Sequence, residues 1–321
     1  MTLDLTRRET LGLGVGAAAL PLLPGGATAA PLAYDIMPKP LAEGVWMIEG
    51  AAAPIAMSNG GAIANITIFD TREGAVIIDA GPSHAYGEAL KLTAERLTGK
   101  PVARVYLTHI HTDHVLGATA FDQKTVAATP ELAADLKARG PGLTDAMYRV
   151  VGDWMRGSTT PEPAGAVAGE AEDVGERRFR FLELAGHTSS DLCLFEERSG
   201  MLLAGDLVFL DRAPTTPDAD LTRWRASLDA LAGVPHRLML PGHGPAEPGA
   251  RGVGQTRDWL AMVEDRIGDG FERGLDVTEL MAAPLPGWAE TIAVSRYEFA
   301  RSVMHILPKL EARRLPVVAA L

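Results

Sequence analysis

The chain has little cysteine, few basic residues and no apolar run long enough to span a bilayer comfortably, and each shortage removes a class of explanation. One cysteine, Cys193, stands among 321 residues, so an intramolecular disulfide is impossible in any redox compartment. It lies in the apolar run 191–195, DLCLF, the setting of a small buried strand residue. Lys and Arg total 30 against 41 Asp and Glu, a formal charge of −11, and no basic cluster interrupts the acidic excess. Phosphate binding needs such a cluster, so nucleic acid is excluded as a partner. With 47% hydrophobic residues the chain can bury one large core plus an appendage.

The first thirty residues read as an address. Arg7 and Arg8 precede an apolar stretch, and Ala27-Thr28-Ala29 follows it, an order that resembles a twin-arginine export signal cleaved near Ala29 or Ala30. A membrane anchor or a frayed apolar tail is the alternative. Export of this kind puts a folded mature chain, with no membrane span of its own, in the periplasm.

Downstream, residues 44–50, 62–70 and 74–81 read as consecutive strands joined by glycine-marked turns. Residues 82–99 read as a helix, with Ser83 as cap and Gly99 as stop, and 102–109 as a buried strand. Helices are predicted near 129–139 and 143–155, then strands over 178–186, 191–197, 200–206 and 237–243. The stretch 158–176, rich in Pro, Gly and acids, reads as a surface loop. Strands first and last with helices between predict an α/β sandwich over 31–248, its sheets covered by helices. Beyond about 248 strand signals stop, and 249–321 reads as a helical extension.

Histidine is scarce too, eight in all, yet three fall within the six residues His109 to His114. His109 follows a predicted strand, and alternate residues of an extended segment point the same way, so His109 and His111 can converge on one ion. Asp113 and His114 open the next apparent helix and point from its first turn. His187, Asp206 and His243 each follow an apolar strand and a glycine, in LELAGH, MLLAGD and LMLPGH. Loops at strand ends are where ligands gather, so these termini can meet at one sheet edge. Seven separate strand caps would each need a separate partner, which makes one shared site the simpler reading. His84, His236 and His305 fall outside every motif.

The set THIHTDH, GHT, AGD and PGHG resembles the metallo-β-lactamase-fold hydrolases over roughly residues 40–248. That resemblance implies a four-layer αββα sandwich. It implies that His109, His111 and His187 bind one metal ion, that Asp113, His114 and His243 bind a second, and that Asp206 bridges them. Zn²⁺ suits imidazole and carboxylate donors, with iron or manganese left open, and two cations held close need a shared anion to limit their repulsion. Zinc lowers the pKa of bound water to ~7, so a bridging hydroxide can attack without serine or cysteine. Asp113 is the expected catalytic residue, orienting that hydroxide while metal charge stabilises the oxyanion. Asp79, at the end of 74–81, matches a family aspartate that hydrogen-bonds near a metal-binding histidine; a turn-initiating role before Gly81 and Pro82 is equally open.

True β-lactamases of this fold usually lack an aspartate at the position of Asp206, whereas glyoxalase II and the lactonases carry one. Ester, thioester or lactone cleavage is therefore favoured over lactam hydrolysis. The segments SNGGAIANITIF, GDWMRG, RAPTTPDADL and PGHGP…QTRDWL resemble the quinoprotein relay system zinc metallohydrolases, exported proteins encoded beside pyrroloquinoline-quinone or related dehydrogenases. This implies a small-molecule substrate and a functional link to a quinoprotein dehydrogenase. GDWMRG, with Trp154 and Arg156, and DRAPTTPDADL, with Arg212, Thr215 and Thr216, are expected to face the substrate, ordinary packing being the alternative. The helical extension is expected to close one side of the cleft. Ser190 departs from the glycine common in the superfamily after GHT-x. Two rivals remain: an iron oxidoreductase, opposed by His111 where a flavodiiron site has a carboxylate, and a non-catalytic metal-binding accessory module.

Overall fold

The computed structural model describes residues 32–315; the export signal predicted over 1–30 lies outside them. β1 (Pro38–Ala42), β2 (Val45–Ile48), β3 (Ile66–Thr71) and β4 (Gly74–Ile78) form an antiparallel meander. α1 (His84–Thr98) then crosses over to β5 (Val102–Tyr106), which runs parallel to β4. Ser83 Oγ accepts the Tyr86 N–H at the start of α1, and Gly99, in the left-handed conformation, closes its end by bonding Glu95 O. The single turn α2 (Thr112–Val115), then β6 (Val126–Ala128), α3 (Pro130–Val151) and β7 (Gly165–Ala166) complete a seven-stranded sheet in chain order. β8 (Ala171–Val174), β9 (Arg177–Leu184), β10 (Asp191–Glu196), β11 (Met201–Phe209) and, after α4 (Leu221–Ala232), β12 (Leu238–His243) form the second sheet, ordered β12-β11-β10-β9-β8.

Alternation along the strands explains the layering. Phe69, Val76, Ile78 and Tyr106 of the first sheet meet Phe179, Leu192, Leu194, Leu203 and Leu240 of the second in one buried cluster. Their chain neighbours Ile68, Ile77 and Val105 turn to the opposite face and pack with Tyr86 and Leu90 of α1 and Leu132 of α3. Likewise Cys193, Leu202 and Ala204 turn outward onto Trp224 and Leu228 of α4. Both faces of both sheets are thus covered, which yields the predicted four layers.

The C-terminal helices are α5 (Arg251–Glu272), α6 (Val277–Ala282), α7 (Gly287–Glu290) and α8 (Ser295–Arg314). Trp259 and Val263 of α5, Leu280 of α6, Ala289 of α7 and Phe299 and Val303 of α8 belong to the same buried cluster as β11 and α4. They therefore extend the outer layer of the second sheet and share its core. Among the described residues no helix is long and apolar enough to cross a membrane.

Three local expectations are corrected. The two helices predicted near 129–139 and 143–155 are one, α3, which continues through Pro141 and ends in a 3-10 turn at Gly152–Met155. Pro141 removes a backbone donor, but Leu132, Leu136, Gly140, Thr144, Met147 and Val151 keep one uninterrupted buried stripe. Gly140 serves close packing instead of a stop: a Cβ there would lie 2.2 Å from Thr160 Cγ2. The loop predicted over 158–176 supplies β7 and β8, the edge strands of the two sheets, where charge and glycine are tolerated. α4 is a helix the pattern reading passed over, although Asp220 caps it and Trp224, Ser227, Leu228 and Leu231 form its buried stripe.

Candidate metal centre

The strand ends deliver the seven predicted side chains to one place. His109 lies just beyond β5, His111 caps α2, and Asp113 and His114 sit in that turn. Asp206 lies within β11, where the register against β12 slips on either side of Gly205, and His243 is the last residue of β12. The slip turns the Asp206 carboxylate toward the first sheet. His187 follows Gly186, whose φ of 143° and 2.2 Å clearance from Trp224 Cα admit no side chain.

Two groups result: His109, His111, His187 and Asp206, and Asp113, His114 and His243, the ligand atoms within each lying within 4.8 Å of one another. Asp206 joins the groups. Its Oδ2 is 3.2 Å from Nε2 of both His187 and His243 and 3.7 Å from that of His109, while Oδ1 is 3.2 Å from His114 Nε2. Asp113 Oδ2 is 3.4 Å from His243 Nε2 and 3.6 Å from His114 Nε2. Six of the seven are buried, and only His111 is partly open to solvent.

Four of the five histidines are oriented through the nitrogen that faces away from the cluster. His114 Nδ1 is 2.7 Å from Asp79 Oδ2, His109 Nδ1 2.9 Å from Thr108 Oγ1, His243 Nδ1 2.8 Å from Ile63 O, and His111 Nε2 3.1 Å from Asp218 Oδ2. Such contacts fix the ring and the tautomer, leaving the other nitrogen's lone pair turned inward. Asp79 is therefore a positioning residue: it also accepts from Thr108 N and Oγ1 and holds a left-handed φ of 63° to do so. His187 is the exception, its outer Nδ1 buried without a partner beside Trp224, 4.9 Å between ring centroids.

The inward atoms fit a bound cation. His109 Nε2, His114 Nε2 and Asp206 Oδ1 are buried with no hydrogen-bond partner, a state that costs free energy unless something else occupies their lone pairs. Nitrogen and carboxylate donors of this kind suit zinc and neighbouring transition metals. Burial, aided by the neighbouring His114, His111 and His187, pushes His109 well below its usual pKa, and burial takes His187 down to about 4, so both are neutral at pH 7. Burial also opposes charge on His114, yet Asp206, Asp79 and Asp113 together hold it well above the usual value. Burial likewise works against the Asp206 anion, but His243, His114 and His109 keep it well below the carboxylate range.

In the metal-free protein these carboxylates therefore favour a proton on His114, and a cation on Nε2 competes with it. Calorimetric zinc titrations near pH 7 in buffers of differing ionisation enthalpy are expected to show net proton release on binding, falling as the pH is raised. Proton-independent heats would contradict this assignment.

A metallo-beta-lactamase superfamily model matches residues 59–243, more than half of the chain and all seven of these residues. The chain belongs to the metallo-β-lactamase superfamily. This superfamily member is 21% identical over 259 residues to a linear primary-alkylsulfatase of Pseudomonas sp. (strain ATCC 19151), covering 67% of the chain and 48% of the relative, so it spans about half that protein's length. It is 24% identical over 242 residues to the Homo sapiens acyl-coenzyme A thioesterase MBLAC2, covering 64% of the chain and 80% of the relative. Among solved structures, the stereoselective inverting sec-alkylsulfatase Pisa1 from Pseudomonas sp. shares the fold, with a TM-score of 0.64, 18% identity, and coverage of 88% of this chain and 52% of that one.

In this metallo-β-lactamase fold the cluster opens into a cavity of about 290 Å³. Of the two segments expected to face the substrate, 211–221 lines it through Arg212 and Thr215, while Thr216 is buried against Ser302 Oγ at 2.7 Å. The other segment does not reach it. Trp154 packs on Tyr34 with ring centroids 4.5 Å apart, and Arg156 is exposed beside Asp153. His84 and His236 bond elsewhere, to Thr119 Oγ1 and to Val234 and Gly249 carbonyls. Within 211–221 sequence reasoning did not single out Asp218, which Arg139 and His111 share, and it missed the cavity faces of α3 and α8, since helix faces carry no motif.

Proposed function

We propose that the protein is a binuclear zinc hydrolase that cleaves a small-molecule ester, thioester or lactone, exported by the twin-arginine route and accessory to a periplasmic quinoprotein system. The observation that carries the two-ion reading is Asp206, one carboxylate reached at 3.2 Å by histidines of both groups. When bound, such ions supply a water nucleophile ionised near neutral pH and positive charge for a developing oxyanion.

The chain's own residues do the rest. His109, His111 and His187 would hold one ion and Asp113, His114 and His243 the other, with Asp206 between. Asp113 Oδ2, at the cavity wall, is placed to accept a proton from the attacking water and to orient it. Asp79, Thr108, Asp218 and the Ile63 carbonyl keep the imidazoles aimed, so little reorganisation is needed as charge develops. Ile55, Ile63, Leu143 and Met147 line the cavity and limit water beside the reacting bond. The thioesterase and sulfatase relatives support attack on an ester-type centre over a lactam. Attachment to a quinoprotein system and export rest on the sequence likeness.

The test is a panel of esters, thioesters, lactones and lactams with zinc-loaded protein, run beside a His109→Ala variant. Turnover of an ester-type substrate, reduced at least about a hundredfold in a variant whose metal-free melting temperature matches that of the unaltered protein, supports the reading. No hydrolysis of any member by protein carrying zinc would replace it with a binding module, and stoichiometric iron with oxygen consumption would replace it with an oxidoreductase.

A further inference from the structure

The cavity has two unlike walls. One is apolar, built from Ile55, Leu143, Met147 and Val150 on the 49–63 segment and α3. The other comes from the loop after β11 and from α8, and it is ionic: Arg212, Thr215, Glu298 and Arg301. Pairing across the fold holds α8 there. Ala213 N–H bonds Ala293 O at 3.0 Å, Thr216 Oγ1 bonds Ser302 Oγ at 2.7 Å, and Thr215 Oγ1 donates to Glu298 Oε2 at 2.5 Å.

The ionic wall has one cation too many. Glu298, fully buried, faces both Arg212 Nη2 at 3.5 Å and Arg301 Nη1 at 3.0 Å, so two guanidinium groups share one carboxylate. The nearby Asp218 is already taken by Arg139 and His111. Arg212 is buried, lies 5.8 Å from the Phe209 ring centroid, and leaves Nε without a hydrogen-bond partner among the described residues. Its charge offsets Glu298. Arg301 is the open member, one-third exposed, and only its Nη1 bonds to described residues, leaving the Nε and Nη2 donors for something else. Such a fork suits an oxyanion.

We propose that Arg301, backed by Arg212, is an anion subsite of this cavity, and that the ligand is an amphiphile whose apolar part lies along Ile55, Leu143, Met147 and Val150 and whose carboxylate or comparable anionic end is held by α8. The term substrate for that ligand rests on the hydrolase reading; its binding does not. Within a chain of net charge −11, a local positive wall at the mouth of a cleft draws an anion that the rest of the surface repels. α8 then sets specificity, and the metal-bearing strands set chemistry.

Octanoate and nonan-2-one are matched probes, alike in shape, one charged and one neutral, and neither has a bond to hydrolyse. Titration calorimetry on zinc-loaded protein is expected to show octanoate at least about tenfold tighter than the ketone. Arg301→Gln is expected to remove that preference while leaving ketone affinity within about twofold, and Arg301→Lys to restore part of it. Equal binding of the two probes by the unaltered protein, or no binding of either, overturns the proposal without need of a variant. Octanoate affinity unchanged in Arg301→Gln also overturns it, because the anion then sits on the metals. A protein that hydrolyses no ester yet shows the Arg301-dependent preference would defeat the hydrolase reading and leave the subsite standing.

Discussion

Asp206→Asn is expected to empty the centre and reduce hydrolysis by about a thousandfold or more, with little change in the fold. Asparagine has the same shape, so the buried neighbours Gly205, Leu207 and Val208 keep their packing. What changes is charge. Four imidazole nitrogens lie between 3.2 and 3.7 Å from the Asp206 oxygens, and the carboxylate is the anion that both ligand groups share. Without it two cations would face each other with only Asp113 to offset them, and the unfavourable term grows in a site with almost no solvent. The amide would also present N–H donors to nitrogens whose lone pairs are needed for the metal. Elemental analysis should show less than one bound metal per chain after dialysis against trace zinc. Full metal content with full activity would mean that Asp206 merely packs between the groups.

The same variant separates charge from geometry at His114. Asp206 is the largest of the charges that raise His114, with Asp79 and Asp113 behind it. Removing it strengthens the effect of burial, so the His114 pKa falls, a shift that imidazole resonances of the metal-free variant report by NMR with no metal bound. A variant that lost metal for steric reasons would leave the His114 titration unmoved.

How much of this was legible in the sequence follows from which forces act locally. The clustered histidines and aspartates were legible because each group is a short polar interruption in or just after an apolar strand, and burial of an unpaired histidine or aspartate is costly enough to make that pattern rare. The sandwich was legible for a similar reason, since strands such as 74–78 are apolar on every residue and need cover on both faces. α3 was misread because Pro141 and Gly140 signal locally, whereas the stripe that holds the helix together is a tertiary fact. Edge strands β7 and β8 pair through backbone groups, which leave no side-chain signature. Asp218 fell inside the segment 211–221 but nothing in that run singles it out, and Arg301 could not be placed because it lies on a helix that carries no motif.

Gly242→Ala tests the backbone that makes the site, and a methyl group there is expected to cost both stability and metal. The added Cβ would lie 1.9 Å from Asp206 Oδ1, 2.7 Å from Gly205 C and 2.8 Å from Asp206 N. A flexible side chain could swing clear of the first contact, but the other two are backbone atoms of the strand paired with Pro241 and cannot. Relief requires β11 and β12 to separate where Asn65 Nδ2 bonds both Pro241 O and Gly244 O, at 2.8 and 2.7 Å, tying the first sheet to the second. Overpacking of this kind costs about 1–3 kcal/mol, and the register slip that aims Asp206 moves with it. Thermal melting of the metal-free variant should fall by several degrees, and zinc should restore less of the loss than it adds to the unaltered protein, because a displaced carboxylate weakens binding to the folded state. Equal stabilisation of both proteins by zinc would show that the carboxylate keeps its place despite the methyl group, and that the tight glycine contact is incidental to the centre.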